Sequence, residues 1–270
     1  MENNDYCFKL SGKSLMIESE RLSEYISYIN DNDIIDIYIC DLYYKLENLD
    51  FLTHCPNIKN VNINSKYISY VDELYKLKDL KELIIQDIGC CIDLLNIPNI
   101  EKLAVTWDKN IRNIDKLKNL KDLRVDNYNP KSKSFDELMS FSDIEKLSIV
   151  YSNLESLKGI EMFYRLNCLN LYYLKKLSSI KELSFNKNLE EISFETCKKI
   201  NDYHYLSKLN NLKKISICNC GELESIKFIN DIESLEWFVC LKTDIKDGDI
   251  TPCKRIKYYS VDNKKHYFYQ

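Results

Sequence analysis

The chain has 270 residues, 45% of them apolar, with 38 basic and 42 acidic side chains and a formal net charge of −4. Ample apolar material with only 5 Gly and 4 Pro excludes a disordered or low-complexity chain. The slight negative charge predicts no general affinity for polyanions such as nucleic acid, and no run approaches the ~18 apolar residues of a membrane-spanning helix.

The start is polar and acidic from residue 1 to residue 5, with no apolar export region after it, so a cytoplasmic location is expected. Eleven cysteines are scattered along the chain, an odd count that fits reduced thiols better than a disulfide framework. Cys90 and Cys91 are adjacent and Cys218 and Cys220 flank Asn219, but there is no C-x-x-C, and His54, His204 and His266 are far apart in sequence. No metal or cofactor is expected. Charge is uneven: residues 1–50 hold 11 acidic against 4 basic side chains, whereas Lys254, Arg255, Lys257, Lys264 and Lys265 face only Asp262 near the end.

In chain order, Phe8/Leu10 and Leu15/Ile17 alternate around Ser11-Gly12-Lys13, the pattern of a hairpin. Ser19 then stands where it would cap a helix presenting Leu22, Ile26 and Ile29 on one face. Residues 1–33 therefore read as an N-terminal cap. From Ile34 a pattern of apolar residues at offsets 0, +3 and +5 begins with Ile34/Ile37/Ile39 and returns through Leu120/Leu123/Val125 and Leu166/Leu169/Leu171 to Leu235/Phe238/Cys240. Nine steps between Ile34 and Leu235 average about 22 residues, the mark of a stacked solenoid. Within each repeat the +3 and +5 residues alternate with polar ones, as in a half-buried strand. A second series at spacing three, such as Leu154/Leu157/Ile160 or Leu223/Ile226/Ile229, predicts a helical turn or 3₁₀ segment returning on the outer side. The interval from Leu120 to Ile144 contains Asn127-Tyr128-Asn129-Pro130-Lys131-Ser132, read as an exposed loop. Repeats fill 34–250. Near the end Cys253/Ile256/Tyr258 lies 18 residues after Leu235, and residues 258–261 and 266–269 flank a turn at 262–265, so 251–270 reads as a closing hairpin.

The strings LKDLKELIIQDI, IEKLSIVYSNLESLKGI, LEEISFETCKKINDYHYL and LKKISICNCGELESI resemble leucine-rich repeat proteins of the short 22–23-residue class found in bacterial internalins and a eukaryotic phosphatase regulator. The resemblance implies an α/β solenoid in a single domain: a curved parallel sheet of about ten turns, with an N-terminal hairpin-helix cap and a C-terminal β-hairpin cap. The family places Asn or Cys at offset +8, where the side chain bonds backbone along the inner turn. Here only Cys197 and Cys220 fit that column cleanly.

No nucleophile with its base, paired-carboxylate cleft, glycine-rich phosphate loop or metal constellation occurs as a motif, so a non-enzymatic, protein-binding module is expected, monomeric on its own. Its specific form is an inhibitor or immunity-type protein; the alternative is a scaffold or regulatory subunit, with an enzyme or metal-dependent protein outside both. The protein or peptide partner would sit on the concave face, formed by offsets +2, +4, +6 and +7. Aromatic and apolar residues gather there at Val150, Tyr151, Tyr172 and Tyr173, with Trp107 in the +7 column, and again at Trp237, Val239 and Leu241 with Tyr259 and Arg255 beside them. The second group has an alternative role, packing under the closing hairpin.

Overall fold

The computed structural model describes residues 8–138, 140, 141 and 143–270; the acidic start and Cys7 lie outside the described residues. The chain divides into two compact units, one ending at Leu120 and one beginning at Lys121.

In the first unit β1 (Leu10–Ser11) and β2 (Ser14–Met16) form the expected antiparallel hairpin, with Leu10 opposite Leu15. Gly12 turns it at φ 63°, a conformation that costs glycine little. Helix α1 (Leu22–Asp31) follows, but Ser19 does not cap it. Ser19 opens a 3₁₀ turn instead, and its hydroxyl donates to the Tyr43 carbonyl at 3.3 Å and accepts from the Lys45 amide at 3.1 Å. The buried face of α1 is Tyr25 and Ile29, while Leu22 and Ile26 stay half-buried. Phe8 sets that register: its ring meets Tyr25 edge-on at 5.0 Å and stacks on Tyr28 at 4.0 Å.

Strands β3 (Asp36–Cys40), β4 (Asn60–Ser65), β5 (Glu82–Ile88) and β7 (Lys102–Thr106) then run parallel, with Ile37, Val61, Leu83 and Leu103 in one cross-strand row. Each of these four is at most 1% exposed, so the +3 column is core throughout. A short side ladder, β6 (Ile92–Asp93) with β8 (Ile111–Arg112), joins the return segments of the 20-residue turns. The +8 column does not point inward here: Leu42 is 69% exposed, and Tyr44, two residues on, fills the core and donates to the Asn48 carbonyl at 2.8 Å.

The second unit is more regular. Its strands β9 (Asp122–Asp126), β10 (Lys146–Val150), β11 (Cys168–Tyr172), β12 (Glu191–Glu195), β13 (Lys214–Leu223), β14 (Trp237–Ile245) and β15 (Tyr258–Val261) pair in parallel in chain order. The return series is buried as expected, with 3₁₀ segments at Ile160–Met162, Lys181–Phe185, Tyr203–Lys208 and Lys227–Asp231. The Pro130 region is less of a loop than its sequence suggests. Tyr128 and Phe135 are fully buried and stacked, the Tyr128 hydroxyl donates to the Ser134 carbonyl at 3.1 Å, and Asn127, Asn129 and Lys131–Ser132–Lys133 are the exposed part.

The C-terminal hairpin is corrected. β15 pairs with β14 in parallel, Trp237 opposite Tyr258, so the repeat continues as Ile256/Tyr259/Val261 at a step of 21 rather than 18. The tail then folds back on the preceding turn: the Phe268 amide donates to the Gly248 carbonyl at 2.9 Å, and the Tyr267 hydroxyl accepts from the Ile245 amide at 2.9 Å.

Side-chain ladders cross the turns. Ser152, Cys197, Cys220 and Thr243, all at +8, each donate to a backbone carbonyl of the inner turn. A second ladder lies at offset −1, where Asn99, Asn119, Asn188 and Asn211 donate to the carbonyls of Lys78, Pro98, Tyr164 and Lys187 one turn back.

Candidate partner-binding surface

Strand alternation buries +3 and +5 and turns +2, +4 and +6 to the solvent face of the sheet. On that face charges pair across strands in both units, Lys102 with Glu82 at 2.7 Å in the first and Lys214 with Glu191 at 2.6 Å in the second.

One residue per turn bends the chain in the second unit, directly after β9, β10, β11 and β12 and within β13 and β14. Asn127, Tyr151, Tyr173, Thr196, Asn219 and Lys242 all have φ between 52° and 61°, the left-handed region. In four consecutive turns the amide of this residue donates to the strand-end carbonyl of the next, Tyr151 to Tyr172 at 2.9 Å and Tyr173 to Glu195 at 2.7 Å among them. The bend is therefore held by the ladder, and its side chains are thrown clear of the core.

Tyr151 and Tyr173 thus stand side by side, rings stacked with centroids 4.6 Å apart and planes at 20°. Tyr151 is 52% exposed. Tyr173 is half-buried, and its hydroxyl donates to the Glu195 carboxylate at 3.1 Å, a bond that raises the phenol pKa. Tyr172 is half-buried with its phenol pushed up by burial. Val150 departs from expectation: flanked in register by Asp126 and Tyr172, it is only 4% exposed and offers no surface for contact.

At the end of the unit Trp237, 40% exposed, stacks on Tyr258 at 3.7 Å, with Val239 and Leu241 half-buried along the same strand. Tyr259 points instead toward the tail, its hydroxyl 3.0 Å from that of Tyr269. Arg255 is not part of this group. It closes the 3₁₀ segment Thr251–Arg255, and its guanidinium donates to the carbonyls of Ile229 and Ile232, the latter at 2.7 Å. Trp107 belongs to the first unit, half-buried after β7. The structure thus brings Tyr151, Tyr172 and Tyr173 together, sets Trp237 and Leu241 on a separate strand, and assigns Arg255 to the return side.

Among the described residues no group of three or more His, Cys, Asp or Glu side chains is arranged to hold a metal, and no helix is long and apolar enough to cross a membrane. The ten cysteines among the described residues are free thiols. Burial pushes the Cys55 thiol up to about 11 and those of Cys197 and Cys253 to about 12.

No family model matches the chain, and no curated protein matches it in sequence. Solved structures do match. An internalin, InlF, from Listeria monocytogenes aligns at 17% identity and a TM-score of 0.51, over 86% of this chain and 73% of its own. The functional domain of InlJ from Listeria monocytogenes, described as including a cysteine ladder, aligns at 14% identity and 0.53, over 86% of this chain and 59% of its own. A leucine-rich repeat protein of Leptospira interrogans aligns at 17% and 0.53, over 93% of this chain and 67% of its own. At such identities the shared property is the fold.

Proposed function

We propose that this leucine-rich repeat chain is a protein-interaction module whose contact surface is the solvent face of the second unit's sheet, centred on Tyr151 and Tyr173. One observation carries the reading. Two bulky aromatic residues occupy left-handed positions that asparagine fills in two other turns, and they stack there partly open to solvent. Bulky residues in this conformation are strained, and such strain concentrates at functional positions. Tyrosine also offers a rigid ring and a polar tip, which suits an interface centre.

The partner is a folded protein or peptide, met by a monomer in a reducing, cytoplasmic setting that the free thiols support. The specific form is an inhibitor or immunity-type protein that covers a partner's active site. Comparative affinity capture from the native cell tests the module: a protein retained by the parent chain is lost with a Tyr151→Ser/Tyr173→Ser bait of equal thermal stability. Equal capture by both baits rejects the surface. Assay of the captured protein then separates inhibition, where activity is lost on adding the chain, from a scaffold that leaves it active.

A further inference from the structure

A second surface lies where the strands of the second unit turn into their return segments. Lys133, Lys175, Lys176, Lys198 and Lys199 project there from three turns, all exposed, with Glu155 between them. Successive corners touch: the Glu155 amide donates to the Lys133 carbonyl at 3.3 Å, and the Ser178 amide to the Glu155 carbonyl at 3.4 Å. Lys133 also reaches the Glu155 carboxylate at 2.7 Å. That hydrogen bond, with Coulombic pull from Lys133, Lys176 and Lys199, holds the Glu155 carboxyl below its usual range. Lys133 is the lysine in contact with this carboxylate.

The stripe runs into a groove of about 950 Å³ between two return segments, with Lys198, Lys199 and Lys208 on one wall and Glu222, Glu224 and Phe228 on the other. The two glutamates are engaged by Lys246, at 3.2 and 2.8 Å. No ion pair engages Lys175, Lys176 or Lys198 among the described residues.

We propose that this basic corner docks an acidic, extended segment of a partner protein, laid across the turns with its end entering the groove. With strands ~4.8 Å apart the stripe from Lys133 to Lys199 is about 15 Å long, the reach of four or five extended residues. Glu155 already shows the contact such a segment would make. The far wall of the groove is mixed in charge, Glu222 and Glu224 beside Lys227 and Lys246, so a peptide that varies its side chains along its length suits it better than a continuous phosphate backbone. The stripe follows the tyrosine pair along the same turns, Lys175 two residues after Tyr173, but it is built from different side chains, and its test needs no knowledge of the partner bound there.

Fluorescein-labelled octaglutamate, titrated with the full chain at low salt and read by anisotropy, is the probe. Saturable binding is expected, weakened roughly tenfold or more by Lys175→Glu/Lys176→Glu/Lys198→Glu/Lys199→Glu and less by the matching Lys→Gln set. Glu155→Gln, which removes the resident carboxylate, tightens binding by about twofold to threefold. Lys118→Glu/Lys121→Glu leaves it unchanged. The proposal is overturned by absence of saturable binding, by reversal variants that fold and bind as the parent does, or by octathymidylate binding more tightly with the same lysine dependence.

Discussion

The left-handed bend that recurs through the turns of the second unit is a single-residue feature with opposite meanings in different turns. An L-residue other than Gly or Asn there carries a strain of about 1–2 kcal/mol. Lys242, at φ 52° and exposed, has no side-chain hydrogen bond among the described residues that would offset it. Lys242→Gly should therefore stabilise the protein by about 0.5–1 kcal/mol, whereas Lys214→Gly, at a strand position without positive φ, should destabilise it by about 1 kcal/mol. Urea melts of both variants check the pair of signs. The buried thiols make a second residue-level prediction. Their folded pKa values lie above the ordinary thiol value of 9.0, so the folded state holds protons that the unfolded state releases at high pH. Stability from this source is fully present below about 9 and is lost as pH rises toward 11–12. The melting temperature should fall progressively across that window, and Cys197→Ala/Cys253→Ala should flatten the fall at the cost of a lower plateau; an unchanged slope contradicts the assignment.

At the scale of elements, the return segments need their end carbonyls satisfied, and side chains from the next turn do it. Asn186 donates to Ile160 and Phe163 at 2.9 and 3.3 Å, and Arg255 does the same for Ile229 and Ile232. Arg255→Ala should cost about 1.5–3 kcal/mol, the range for bonds from a charged donor, without altering partner affinity. Loss of binding with unchanged stability would return Arg255 to the interface. What the sequence made legible follows the same division. Strand positions, return series and hairpin-helix start were readable because apolar periodicity marks them directly. The C-terminal turn was misread because Tyr258 is apolar enough to mimic a +5 residue; only pairing with Trp237 puts it on the solvent face. The ladder at offset −1 was visible in Asn99, Asn119, Asn188 and Asn211, but polar residues that serve backbone leave no hydrophobic signal. Val150 was misplaced since alternation gives direction, not accessibility.

For the whole molecule, each turn supplies one row of core and one row of solvent-facing side chains, so stability and recognition reside in alternate positions of the same strands. Substituting the facing row should therefore separate the two properties. The cap at the start belongs to the stability side: Tyr25 is fully buried against Phe8, and Tyr25→Ala should cost about 3–5 kcal/mol in a thermal or urea melt. The tyrosine pair belongs to the recognition side. Calorimetric titration of the captured partner into parent and Tyr151→Ser/Tyr173→Ser chains tests that division most directly. The account predicts affinity weaker by about 2 kcal/mol or more with a nearly unaltered melting temperature, while Lys81→Ala, Lys121→Ala and Glu145→Ala at the strand margin have little effect. Full-strength binding by a folded tyrosine variant would contradict it.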